Sequence, residues 1–183
     1  MVDVREQNFL RWFDGSKVVD GNGRPVVNYH GTNASVAIKK FSGNAFAGWF
    51  AEYPNTADAY TSSSLDDDCS DSAIYPVLLS IKSPLDLSGI DANELFNPEK
   101  LAIAMGVNLA DVSDLFEDRA AGDAYWNLID TPNFREWVGA LGYDGLAIME
   151  RGQITWAVLR PEQIKSAAGN CGDFDPNNPD ITR

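Results

Sequence analysis

Strand-like and helix-like stretches are segregated along this chain of 183 residues. Short apolar runs bounded by Gly, Pro, Asn and Asp fall before residue 84 and after residue 145. Between Asp91 and Leu141 the pattern turns helical, with Ala, Leu and Glu interrupted by Gly106 and Gly122. Such grouping predicts short antiparallel strands with helices gathered beside them, the α+β class. A chain of this length buries about 70% of the surface its unfolded form exposes, so one domain over residues 1–183 is expected.

The individual elements follow from periodicity and punctuation. Phe9, Leu10, Trp12 and Phe13 recur at helical spacing, and Gly15-Ser16 ends that helix. Lys17–Val19 and Pro25–His30 read as two strands joined by the turn Asp20-Gly21-Asn22-Gly23, whose residues tolerate positive φ. Gly21 and Gly23 lack the rest of a dinucleotide fingerprint, so a turn is the reading. Phe46–Phe50 predicts a strand, and Pro54 opens a helix that runs to Tyr60. Residues 61–72, rich in Ser and Asp, read as a mobile loop. Asp66, Asp67 and Asp68 are consecutive, where a calcium loop alternates its ligands. Tyr75–Lys82 is the clearest strand. Further strands are expected at Leu146–Met149, after the turn Gly142-Tyr143-Asp144-Gly145, and at Ile154–Leu159, which Pro161 ends. Residues 91–141 form a helical insertion covering one side of a sheet, and Gly169–Arg183 an irregular tail.

Composition removes several functions. Lys and Arg number 14 against 27 Asp and Glu, a net charge of −13 and a pI near 4.3. That surplus excludes a broad face gripping nucleic-acid phosphates. The first residues carry neither a basic nor an apolar leader pattern, and the apolar run around Ile74–Ile81 is too short to cross a bilayer. One histidine with Cys69 and Cys171 supplies no structural zinc site, and two cysteines make no disulfide framework. No metal is expected.

Three islands carry candidate chemistry. In Tyr29-His30-Gly31-Thr32, an imidazole stands at a strand end and the following glycine lets a ligand approach the backbone. In the stretch from Gly48 to Tyr60, Trp49 at a strand end and Tyr60 on the next helix could clamp a flat, electron-poor ring; core packing would explain the same aromatics. In Gly152–Leu159, strand alternation puts Gln153 and Thr155 on one face and Ile154 and Trp156 on the other. That polar pair could address a sugar or simply face solvent.

Taken in order, these islands resemble the ADP-ribosyltransferases, in particular the transferase domains of phage polyvalent proteins. The similarity extends to Arg11-Trp12-Phe13, Ser16–Asp20, Tyr75–Pro84, Gly142–Gly145, Arg160–Ser166 and Asp173–Ile181. The resemblance implies split antiparallel sheets around an NAD cleft, with flanking helices. It places His30 on the nicotinamide-side ribose and the Gly31 backbone on the carboxamide. Trp49, with Tyr60 eleven positions on, would enclose nicotinamide, and Thr32 and Phe50 complete the NAD-binding set. Gln153 and Thr155 would meet the ribose hydroxyls, and His30, Tyr60, Gln153 and Thr155 form the implied catalytic set. The implied activity is NAD-dependent mono-ADP-ribosylation of a host protein in the bacterial cytoplasm, with release of nicotinamide.

Thr155 departs from that pattern, because the family carries a glutamate there. A carboxylate about 4 Å from a developing positive charge is worth about 4 kcal/mol at an effective dielectric near 20. Its loss slows the step on the order of a thousandfold. Glu52 and Glu150 lie nearby in sequence, without the parity or spacing of the missing residue. The alternative implied is an acidic protein that keeps the fold, lacks catalysis and binds a basic host factor. A third is hydrolysis of NAD with water as acceptor.

Overall fold

The computed structural model describes residues 3–33, 37–61, 72–90, 97–116 and 126–183. The chain opens with α1 (Val4–Phe13), whose N-terminus is capped by the Asp3 carboxylate accepting from the Arg5 amide. Trp12 and Phe13 are its buried residues. The turn at Asp20 forms as its residues predict: the carboxylate accepts from the amides of Asn22 and Arg24, and Gly23 has a φ of 77°. The flanking strands are shorter than expected. Pairing between them is reduced to one bridge, Val19 opposite Pro25, since proline brings no N–H to extend a ladder, and the second strand starts at Asn28 and runs on to Thr32.

Among the described residues seven strands follow: β1 (Asn28–Thr32), β2 (Gly48–Ala51), β3 (Ala73–Leu79), β4 (Pro84–Asp86), β5 (Gly145–Glu150), β6 (Gln153–Val158) and β7 (Ile164–Ser166). Their spatial order is β4-β5-β6-β2-β1-β3-β7, antiparallel except for β4 beside β5. Between β1 and β2 the ladder is reduced to one pair, Tyr29 opposite Ala51. The sheet is therefore two halves meeting at a seam, as the resemblance implies. The expected strand at Tyr75–Lys82 starts two residues earlier and stops at Leu79. Beyond it, Ser80 donates its amide to Gln163, and Ile81 accepts from Lys17.

The helices are α2 (Pro54–Asp58), α3 (Pro98–Met105), α4 (Leu109–Ser113), α5 (Trp126–Ile129) and α6 (Pro132–Ala140). Asn97 and Thr131 cap α3 and α6, each with proline in the first turn, and Gly106 closes α3 in the left-handed conformation. Apolar residues of α3 to α6, including Leu101, Val112, Leu128, Ile129, Phe134 and Val138, bury against Leu85, Leu146, Ile148 and Ala157 of the sheet. Each such side chain stabilises the fold by about 1.5–3 kcal/mol. The described helices thus cover one face of the sheet. On the other face Val18, Phe50, Val77, Leu79, Ile81, Trp156, Val158 and Ile164 form a second core. Among the described residues no helix is long and apolar enough to cross a membrane. Within the mobile-loop expectation, residues 62–71 lie outside the described residues, as do 91–96 and 117–125 of the helical insertion.

The tail from Gly169 has no helix or strand, yet it is pinned. Ile181 is buried, and its backbone bonds Lys39 and Ser166. The wholly buried Lys165 donates its Nζ to the carbonyls of Asn178 and Asp180, at 2.7 and 3.2 Å. Gln163 completes this clamp: its Nε2 donates to the carbonyls of Ser80 and Asp144, and its Oε1 accepts the Arg160 amide. The Arg160–Ser166 stretch serves the fold.

Candidate active site

Strand alternation decides what the sheet shows on its helix-bearing face. Leu146, Ile148 and Ala157 belong to the core under the helices, so Glu150 and Thr155, two positions on along their strands, share that face. Register adds Trp49 opposite Ala157, Ala51 opposite Thr155, and Tyr29 opposite Ala51. The short helix α2 lies over the same face, against Gly31. Between α2 and α5 the sheet is left uncovered, and there a cavity of about 350 Å³ opens. It is within the range of small-molecule sites. Tyr29, Trp49, Ala51 and Thr155 line it from the sheet, Ala57 and Tyr60 from α2 and its terminal turn, and Trp126 and Asp130 from the helical layer. A second hollow of about 260 Å³ shares His30, Trp49 and Asp130 with it and extends past Lys40, Ser42 and Asn44.

His30 stands at the seam. Its ring packs edge-on to Phe41 and beside Phe50, at centroid distances of 5.0 and 5.5 Å. Nδ1 lies 2.9 Å from the Trp49 carbonyl, bridging the half-sheets beside their single rung. A carbonyl only accepts, so Nδ1 carries the proton and Nε2 is left as an acceptor. Burial pushes the ring's pKa below its ordinary value, opposed by the Trp49 carbonyl. The site therefore favours the neutral imidazole.

Trp49 is fixed from two sides. Its indole N–H donates to Asp130 Oδ1 at 3.0 Å, and its ring meets that of Trp126 edge to face at 4.9 Å. Tyr60 lies two residues beyond the end of α2, in the turn that follows, where the sequence pattern predicts helix. Its phenol donates to Glu150 Oε1 at 2.5 Å. The other oxygen of Glu150 accepts from the Thr155 hydroxyl at 3.0 Å. Glu150 is only 6% exposed. Its parity, judged along the chain, looked wrong for the role of a carboxylate at Thr155. The register corrects that: Ile148 faces Thr155 and Glu150 faces Gln153, so Glu150 is the diagonal neighbour of Thr155 on the same face.

Of the residues expected at the site, His30, Gly31, Trp49, Phe50, Tyr60 and Thr155 line the cavity. Thr32 and Gln153 are not among the lining residues. The Gln153 side chain is buried beneath the start of α2, where Oε1 accepts the Tyr53 amide at 2.8 Å and Nε2 donates to Thr56 Oγ1. Gly31 also has a packing reason beside the expected one. A Cβ there would stand 1.7 Å from the Ala57 carbonyl oxygen, so it is α2 that needs the glycine. Trp126, Asp130 and Glu150 are the additions. No local pattern marks Trp126 and Asp130, which reach the cavity only through helix packing.

The protein-family model described as "ADP-Ribosyltransferase in polyvalent proteins" matches residues 20–174. No curated protein matches the chain. A solved structure described as the crystal structure of an anti-CRISPR protein is similar at 14% identity, covering 76% of this chain and 92% of that one. Its TM-score of 0.39 is too low to carry fold or function across.

Proposed function

Because this chain belongs to the ADP-ribosyltransferases of polyvalent proteins, we propose that its cavity binds NAD and transfers ADP-ribose to a host protein, releasing nicotinamide. The observation that carries the reading is the chemistry of the lining. Trp49, Tyr60 and Trp126 supply aromatic surface, burial favours the neutral form of His30, and the carboxylates among the described lining residues are Asp130 and Glu150. Aromatic faces with carboxylates favour a planar cation, which is what the nicotinamide ring of NAD is until its glycosidic bond breaks. The neutral product loses that attraction and leaves.

His30 Nε2 accepts from a hydroxyl of the nicotinamide-side ribose, with its direction set by the Nδ1 bond to Trp49. Trp49 and Tyr60 border the ring, and the Gly31 backbone takes the carboxamide. The adjoining hollow past Lys40 and Ser42 gives the rest of the dinucleotide a path out of the seam.

Titration calorimetry with NAD, followed by an assay for free nicotinamide and for label transferred from NAD to host lysate protein, tests the reading. Wild type is expected to bind and to release nicotinamide. His30→Ala is expected to weaken NAD binding about tenfold or more, the cost of one buried hydrogen bond. Absence of binding, release and labelling overturns the proposal. It leaves the acidic, non-catalytic binder, favoured by the net charge of −13 and recognised by salt-sensitive capture of a basic partner. Nicotinamide release without labelling identifies water as the acceptor.

A further inference from the structure

We propose that Glu150 is the catalytic carboxylate, placed on the strand next to the one that carries Thr155, with Thr155 and the Tyr60 hydroxyl as its positioning groups. This rests on the NAD reading above.

The hairpin between β5 and β6 fixes where the carboxylate can stand. Arg151 and Gly152 both have positive φ, 51° and 78°, forming a tight two-residue turn that sets Glu150 opposite Gln153. Diagonal neighbours in an antiparallel pair are about 7–8 Å apart at the backbone, a gap that a glutamate side chain crosses. Glu150 does cross it: Oε2 comes to 3.0 Å from Thr155 Oγ1. The short threonine leaves the space that a longer residue at 155 would fill, and the neighbouring strand fills it with a carboxylate.

The electrostatics point the same way. Glu150 is buried; the hydroxyls of Tyr60 and Thr155 donate to it, and no lysine or arginine is among the described residues that line the cavity. A buried carboxylate without a cation is costly to keep, and the cost falls when a cationic group enters. Its oxygens are held before any ligand arrives, so little reorganisation accompanies the reaction.

The step balances as follows. The bond between the ribose C1′ and nicotinamide N1 breaks, and its electron pair stays on nitrogen, neutralising the pyridinium. The positive charge passes to the C1′–ring-oxygen unit of the ribose, facing the Glu150 carboxylate. An N–H or O–H nucleophile of a protein acceptor, or water, then forms a bond to C1′ and releases its proton to solvent. Glu150 forms no covalent bond in either step.

Glu150→Gln keeps the shape and a hydrogen-bond acceptor but removes the charge. The expected result is a melting temperature close to wild type and an NAD dissociation constant raised only severalfold, with nicotinamide release reduced about a hundredfold or more. Thr155→Val is expected to lower kcat about tenfold at unchanged KM, and Thr155→Ser to restore it, because a hydroxyl that aims a catalytic group acts on turnover. A folded Glu150→Gln protein that turns over like wild type overturns the assignment alone. So does a loss of turnover matched by an equal loss of NAD affinity, which makes Glu150 a binding residue. Wild type that neither binds NAD nor releases nicotinamide overturns the NAD reading and this inference together.

Discussion

Replacing Gly31 with alanine tests how tightly α2 is seated on the sheet. The added Cβ would lie 1.7 Å from the Ala57 carbonyl oxygen and 2.6 Å from its carbon. A carbon and a carbonyl oxygen settle at about 3.3 Å, so against the 1.7 Å available α2 must retreat by roughly 1.6 Å. Overpacking costs about 1–3 kcal/mol when side chains can yield. Here the obstacle is backbone, which sets the expectation at the top of that range, about 3 kcal/mol. At about 2–4 °C per kcal/mol for a chain of this size, the melting temperature should fall by about 6–12 °C. The retreat also draws Ala57 and Tyr60 away from the cavity and breaks the 2.5 Å bond to Glu150. NAD affinity should therefore fall more than the remaining native fraction explains. Gly89→Ala is the control, since its Cβ would meet nothing within 4 Å and its φ is not positive. Thermal denaturation with calorimetric NAD titration reads both effects. A Gly31→Ala protein melting within about 2 °C of wild type refutes the close approach.

Two further outcomes follow from buried polar groups. His30 is the chain's one histidine, and burial lowers its pKa from the ordinary 6.5. The unfolded chain therefore takes up its proton at a higher pH than the native one. Stability should decline as pH drops from about 6.5 towards that lowered value. His30→Asn, whose Nδ2 stands in for Nδ1 toward the Trp49 carbonyl, should flatten the slope in denaturant titrations. Equal slopes in the two proteins would refute burial as its cause. Lys165→Met should cost about 1–3 kcal/mol by stranding the carbonyls of Asn178 and Asp180. Because Lys165 is not among the cavity lining, NAD affinity of the folded protein should stay unchanged, and an unaltered denaturation midpoint would contradict the clamp.

What the chain announces in advance is what short-range patterning controls. The helix at Phe9–Phe13, the turn at Asp20–Gly23, the strands around Tyr75 and Leu146 and the helical cover after residue 91 all depend on neighbours within a few positions. Tyr60 is visible for a related reason, since it stands just past a short helix, whereas His30 and Trp49, expected at strand ends, lie inside β1 (Asn28–Thr32) and β2 (Gly48–Ala51). Other features depend on which element lies beside which. The seam at β1 and β2 arises from the ladder stopping after Tyr29 and Ala51, and nothing local to either residue encodes that stop. Trp126 and Asp130 reach Trp49 from 77 and 81 positions away, through the packing of α5 and the turn after it.

Gln153 and Glu150 show the same limit within one hairpin. Alternation along β6 groups Gln153 with Thr155 as a polar pair, and they do share a face. The overhang of α2 separates their surroundings, giving Gln153 to Tyr53 and Thr56 and leaving Thr155 in the cavity. Counting along one strand also discards Glu150, since it lies five positions from Thr155 with the turn in between. Counting across the ladder restores it, because a two-residue turn converts that odd separation into the same face. A position expected to carry a charge is thus better sought among cross-strand diagonals than among sequence neighbours alone. In this chain Thr155 and Glu150 together place at one point of the cleft a hydroxyl and a carboxylate that no single residue supplies.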